Sequence, residues 1–134
     1  MRVFIDAPLL IYLNAIVNPN VRAPYENFYV KILSEYKPYT DVLVLDEVIY
    51  VSKRKYNIPY KVSIDFLNSL VLPYITILDI GEDDFELAAK ILLEYNVKPS
   101  DAIHLGVMLN NGINIIVSED KELDKVQTVK RLWL

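Results

Sequence analysis

The sequence predicts an α/β fold: a mainly parallel sheet with helices on both faces. Short apolar runs of strand length alternate along the chain with stretches whose apolar residues recur every three or four positions. Several of these runs are continuous and β-branched, as strands buried on both faces are. With 134 residues, 53% of them hydrophobic, the chain is one domain's worth and supports a sizeable core.

Val3-Phe4-Ile5 reads as a buried strand that ends in Asp6. Pro8 suits the first turn of the helix that follows, through Leu9, Leu10, Leu13 and Ile16. Tyr25, Phe28, Tyr29, Ile32, Leu33 and Tyr36 then make the clearest amphipathic helix, with Glu26, Lys31 and Glu35 between them. Val42-Leu43-Val44-Leu45 reads as the second strand, and Asp46-Glu47 opens a helix toward Lys55. Pro59 begins another helix through Val62, Phe66, Leu67, Leu70 and Val71, stopped near Pro73. Ile75-Thr76-Ile77-Leu78 reads as a third strand. Phe85, Ala88, Ala89, Leu92 and Tyr95 form the next helix face, behind acids suited to a helix N-terminus. Ser100 is the expected N-cap of a helix that carries Asp101 in its first turn and closes at Gly112. Residues 113–117 form a further strand, a turn surrounds Leu123, and a last strand lies near 128–133. No repeat, low-complexity tract or linker interrupts this order, so residues 1–134 are expected to form a single domain.

Composition removes several chemistries. There is no Cys, hence no disulfide, thiolate zinc site, iron–sulfur cluster or thiol nucleophile. One histidine, His104, excludes every multi-histidine ligand set. Gly81, Gly106 and Gly112 are not spaced to cradle a phosphate. No apolar stretch approaches the ~20 residues of a membrane span, and the early Asp6 does not suit a secretion signal. A soluble cytoplasmic protein is expected. The net charge of −4 argues against holding nucleic acid by charge alone. It does not exclude a site that meets phosphate through metal ions.

In sheets of this kind ligands sit beyond the carboxyl ends of the strands. Asp6 lies just past the first strand and Asp120 just past the fourth. Asp101 and Glu47 begin helices that start at the same edge. Singly, Asp6 and Asp120 suit caps or turns, Asp101 suits the helix dipole and Glu47 suits a solvated helix. Caps, however, have no reason to share one centre. Two like charges ~4 Å apart repel by ~4 kcal/mol at an effective dielectric of 20. No Lys or Arg stands beside any of the four in a way that promises to neutralise it. A cation among them is therefore expected, and all-oxygen ligands select Mg²⁺ or Mn²⁺. Carboxylate-held Mg²⁺ suits phosphodiester chemistry.

Val3-Phe4-Ile5-Asp6, Glu47, the Lys98-Pro99-Ser100-Asp101-Ala102-Ile103-His104 segment and Ile116-Val117-Ser118-Glu119-Asp120-Lys121 together resemble the PIN-domain nucleases, most of all the small VapC-type toxins. The resemblance runs in order along nearly the whole chain. It implies a three-layer α/β/α sandwich on a five-stranded sheet, metal-dependent cleavage of single-stranded RNA, and an antitoxin as partner. It also implies an acidic quartet of Asp6, Glu47, Asp101 and Asp120. Asp6 and Asp101 would hold metal most directly, Glu47 would orient the attacking water, and Asp120 would complete the shell. Ser118 would support the shell by hydrogen bonding.

The chain departs from the family pattern at Ala7-Pro8, where a small hydroxyl residue or Asn usually follows the first Asp, and at Leu43-Val44-Leu45-Asp46, which lacks the common Ser/Thr. The alternative reading is accordingly a weak or inactive PIN-like module that binds RNA or protein. A receiver-like phosphoryl-transfer domain ranks lower, because Asp6 has no adjacent acid.

Other residues receive plainer readings. His104, one turn after Asp101, reads as a packed or hydrogen-bonded structural histidine. Lys53-Arg54-Lys55 with Tyr56 reads as a solvated helix end before an RNA contact. Lys121 and Lys125 flank the proposed rim. Glu119, Glu122 and Asp124 lie near enough to stand in for Asp120. Glu82, Asp83, Asp84 and Glu86 serve a helix dipole. Tyr25, Tyr29 and Tyr36 belong to the core or to a homodimer interface through the early helices.

Overall fold

The computed structural model describes all 134 residues, Met1 to Leu134. Five strands, β1 (Arg2–Ile5), β2 (Lys37–Asp41), β3 (Thr76–Leu78), β4 (Ile115–Val117) and β5 (Lys130–Leu132), form one sheet in the order β3-β2-β1-β4-β5. Every neighbouring pair is parallel. Helices α1 (Ala7–Ala15), α2 (Pro19–Glu35), α3 (Val42–Tyr56) and α4 (Tyr60–Phe66) pack on one another, and α5 (Glu82–Tyr95) packs along α6 (Pro99–Asn110). The result is a three-layer α/β/α sandwich, as expected. No helix is long and apolar enough to cross a membrane.

The core sits between sheet and helices, where Phe4, Ile5, Leu9, Leu10, Leu105 and Met108 are fully buried. Each such side chain stabilises the fold by ~1.5–3 kcal/mol. Asn14 ties three helices together, its amide donating to Ser52 Oγ (3.0 Å) and Ser63 Oγ (2.8 Å). Gly106 sets the spacing of α5 and α6: a Cβ there would stand 2.4 Å from the carbonyl oxygen of Asp84. No larger residue fits without parting the helices.

Residues 42–45, expected as a strand, are the first turn of α3. The Asp41 carboxylate accepts from Val44 N–H at 3.0 Å and so caps this helix. Val44 and Val48 are its buried face, whereas Val42 is 61% exposed, which a strand between two neighbours would not allow. The real second strand is the polar-looking Lys37-Pro38-Tyr39-Thr40-Asp41. It is tolerated in the sheet interior because the Thr40 hydroxyl donates to the Ile5 carbonyl at 2.7 Å. Glu47 therefore lies in the second turn of α3 rather than at its start.

Smaller corrections follow the same logic. Lys98, not Ser100, is the N-cap of α6, with Pro99 in the first turn; Asp101 keeps its first-turn position. Asn18 caps α2, which starts earlier than its apolar stripe, at Pro19. Pro59 caps α4, and a π-helical turn (Leu67–Val71) continues it. Residues 113–117 and 128–133 shorten to β4 and β5.

From β1 the chain builds outward to β2 and β3, then returns to β4 and β5 on the other side. The crevice between the carboxyl ends of β1 and β4 is thus the switch point, where a ligand is expected. Asp6 N–H donates to the Val117 carbonyl at 3.0 Å, holding the two strand ends level.

Candidate functional site

Asp6, Glu47, Asp101 and Asp120 line one open cavity of about 410 Å³ at this switch point. Four segments far apart in sequence deliver them: the end of β1, the second turn of α3, the first turn of α6 and the turn after β4. All four residues expected at the site are brought together, and so is their expected support. Ser118, fully buried, donates from Oγ to Asp6 Oδ2 at 2.7 Å and accepts from Asp120 N–H at 3.1 Å. Arg131 holds Ser118 from behind, donating to its carbonyl at 3.1 Å while it grips Asp124 with two further donors.

The Ala7-Pro8 departure does not strip Asp6 of partners. Its Oδ1 accepts from Ala7 N–H at 2.8 Å and its Oδ2 from Ser118. Each oxygen keeps a lone pair in reserve. Burial raises the Asp6 pKa above the usual carboxylate range, against the opposing pull of His104, Ser118 and the Ala7 amide.

Asp101 is 7% exposed, and its Oδ2 is buried without a hydrogen-bond donor. Burial, the charge of Asp6 and the Asp120 carboxylate push its pKa up to about 7. A buried acceptor left unserved costs ~1–3 kcal/mol; a cation removes that cost. Asp6 and Glu47 each place a carboxylate oxygen within 4.8 Å of the other and of a His104 nitrogen, and together with the orphaned Asp101 oxygen lining the same cavity these oxygens suit a hard divalent cation.

Two residues were missed or undervalued in the sequence. Asp41, fully buried at the end of β2, was concealed by the misplaced strand. His104 is a buried, hydrogen-bonded histidine as expected, but its partners belong to the site: Nδ1 meets Asp41 Oδ2 and Nε2 meets Glu47 Oε1, both at 2.8 Å. Burial lowers its pKa, yet Asp41, Glu47 and Asp6 outweigh that and hold it at about 10. As expected, no Lys or Arg is paired with any of the four acids; the basic group nearest to them is the His104 ring.

The stand-ins for Asp120 have partners of their own. Glu119 lines the cavity and accepts from Tyr12 Oη at 2.5 Å, Glu122 pairs with Lys125, and Asp124 with Arg131. The basic run divides. Lys53 lies over the Tyr60 ring and Arg54 reaches Tyr50, whereas Lys55 and Tyr56 line the cavity with Lys98 and Lys121. Of the acids in the first turns of α5, Asp84 is buried and accepts from Gly81 N–H and from Asn110, outside this cavity.

A three-layer sheet domain with an acid-lined crevice at its switch point has a donor set compatible with a divalent cation. The sequence matches the PIN domain family over residues 3–129, and the chain belongs to that family. Among solved structures it is similar to VapC20 of Mycobacterium tuberculosis, a sarcin–ricin loop cleaving toxin, with a TM-score of 0.73 at 16% identity over 91% of this chain and 92% of that one. It is likewise similar to VapBC2 of Rickettsia felis bound to a promoter DNA fragment (TM-score 0.76, 15% identity, 100% of both chains). A toxin–antitoxin complex from Klebsiella pneumoniae also matches (TM-score 0.69, 18% identity, 95% of this chain and 94% of that one). At these identities the likeness is one of fold. No curated protein matches the sequence.

Proposed function

We propose that this chain is a divalent-metal-dependent endoribonuclease that cleaves single-stranded RNA and serves as the toxin of a toxin–antitoxin pair. One observation carries the reading: Asp6, Glu47, Asp101 and Asp120 line one cavity in which a buried carboxylate oxygen has no donor. Membership of the PIN family and the toxin named among the structural neighbours support it.

Asp6 and Asp101 would hold the cation with Glu47, and Asp120 would complete the shell. Bound there, Mg²⁺ or Mn²⁺ would supply Lewis-acid polarisation of the phosphodiester and activation of the attacking water. The chain's own residues do the rest. Ser118 and the Ala7 amide fix the orientation of Asp6. Glu47, the most open of the inner acids, is placed to orient a water. Lys55, Lys98 and Lys121 on the rim meet the RNA backbone, and Tyr56, 41% exposed, offers a face on which a base can stack. A negative floor under a cationic rim suits an anionic polymer that is drawn to the rim and needs metal to reach the floor.

The alternative of an inactive binding module rests on Ala7-Pro8 loosening the metal. Against it stand the two hydrogen bonds that Asp6 accepts, which orient its carboxylate without a side chain from position 7 or 8. A protein partner is part of the proposal. An apolar groove of about 270 Å³, lined by Leu13, Tyr29, Leu33, Phe66 and Leu70, lies open beside α2 and α4. The exposed Val17, Val21 and Val30 suit a homodimer through the early helices.

The test is incubation of the protein with mixed single-stranded RNAs, with Mn²⁺ and with excess chelator. Cleavage confined to the metal-containing reactions is expected. Full cleavage in chelator overturns the proposal.

A further inference from the structure

His104 has no role in a reading built on four acids, and its surroundings assign it one. The ring lies on α6 one turn beyond Asp101 with no exposed surface. Each ring nitrogen faces a carboxylate oxygen at 2.8 Å, Asp41 on one side and Glu47 on the other. The ring therefore spans the two acids and is held from both sides. The two partners differ. Asp41 is fully buried and pinned by the Val44 amide, an immovable anchor. Glu47 is 29% exposed and free to swing toward solvent but for the ring. Nε2 also stands 4.0 Å from Asp6 Oδ1, between the two inner acids.

We propose that His104 is a positioning residue: a buried ring anchored on Asp41 that aims Glu47 into the cavity. Both nitrogens are committed to carboxylates, so the ring is not itself a metal ligand. Its part is to keep the Glu47 carboxylate from turning out to solvent, which favours turnover. This inference rests on the metal-dependent nuclease reading.

The test compares wild type with His104→Gln and Asp41→Asn, measuring Mn²⁺ binding by calorimetry and kcat and KM on single-stranded RNA. In His104→Gln kcat falls roughly tenfold or more while KM for RNA changes little and the protein still binds Mn²⁺. Asp41→Asn keeps the helix cap and the side-chain shape, and it lowers kcat in the same way by less. It decides the matter if His104→Gln does not fold. Loss of Mn²⁺ binding in a folded His104→Gln as complete as in Asp101→Asn would make His104 a ligand and overturn the proposal. Activity that merely tracks the folded fraction, with kcat per folded molecule unchanged, would reduce His104 to a structural part and overturn it as well. A wild type that takes up no Mn²⁺ overturns the nuclease reading together with the inference, whereas a wild type that binds Mn²⁺ beside unresponsive variants overturns the inference alone.

Discussion

Ser118 Oγ donates a 2.7 Å hydrogen bond to Asp6 Oδ2, joining positions 112 apart in the chain. The same hydroxyl oxygen accepts from the Asp120 amide, so one buried atom sets two of the acids. Ser118→Ala removes both contacts and leaves Asp120 N–H without its acceptor. The variant is expected to lose ~1–3 kcal/mol of stability and ~10–100-fold in Mn²⁺ affinity. Chemical denaturation and calorimetry measure the two effects, and unaltered metal binding would contradict the role given to Ser118.

Asp101→Asn tests the repulsion within the cluster. The carboxyl group is pushed up to about 7 by burial and by Asp6 and Asp120. Asn keeps the shape and removes the charge. In the metal-free protein the variant is expected to melt higher, by a few degrees for roughly 1 kcal/mol. RNA cleavage is expected to vanish. A stabilised but inactive variant separates site from scaffold; a destabilised one contradicts the electrostatic account.

The metal-free protein should lose stability as pH rises. Asp101 holds its proton in the fold to about 7, whereas the unfolded chain releases it near 3.8. The unfolded state therefore binds fewer protons between those values, and stability falls across them. His104, held at about 10 against 6.5 unfolded, contributes stability that is complete below 6.5 and lost as pH climbs toward 10. Burial raises Asp6 too, with the same sign as Asp101. Mn²⁺ affinity should move oppositely and rise through pH 7 as Asp101 gives up its proton. Melts in chelator at several pH values check the first trend, and greater stability at pH 9 than at pH 6 would contradict it.

On the rim, Lys55→Ala is expected to raise KM for RNA several-fold and leave kcat unchanged. The slope of log affinity against log salt should shrink by ~0.7, one backbone phosphate in a single strand. Lys53→Ala, whose side chain lies over Tyr60 outside the cavity, is the control. Equal effects from the two would return the basic run to a solvated helix end.

Gly106→Ala would set a methyl group 2.4 Å from the Asp84 carbonyl oxygen. The expected cost is ~1–3 kcal/mol, read by denaturant melts. Because α6 carries both Asp101 and His104, weaker Mn²⁺ binding should accompany it.

The sheet and the four acids were legible because buried parallel strands are continuous apolar runs and because strand ends share one edge. Asp6 and Asp120 follow directly from Val3-Phe4-Ile5 and from residues 113–117. What stayed hidden is β2. Its Lys, Pro, Thr and Asp look like a turn, and only the distant Ile5 carbonyl makes buried Thr40 acceptable. The apolar run after it was taken for the strand, since a short β-branched run reads the same on a buried helix face. That single displacement concealed Asp41, and with it the partner that turns His104 from packing into part of the site. Sequence spacing finds groups at element ends; it does not find a pair that only tertiary packing brings to 2.8 Å.

The most direct measurement is anomalous diffraction from crystals grown in Mn²⁺. The account predicts a manganese peak within bonding distance of carboxylate oxygens of Asp6 and Asp101, with the His104 ring hydrogen-bonded to Asp41 and clear of the metal. A manganese-saturated crystal whose crevice holds no such peak, or whose four acids turn away from one another, would contradict it.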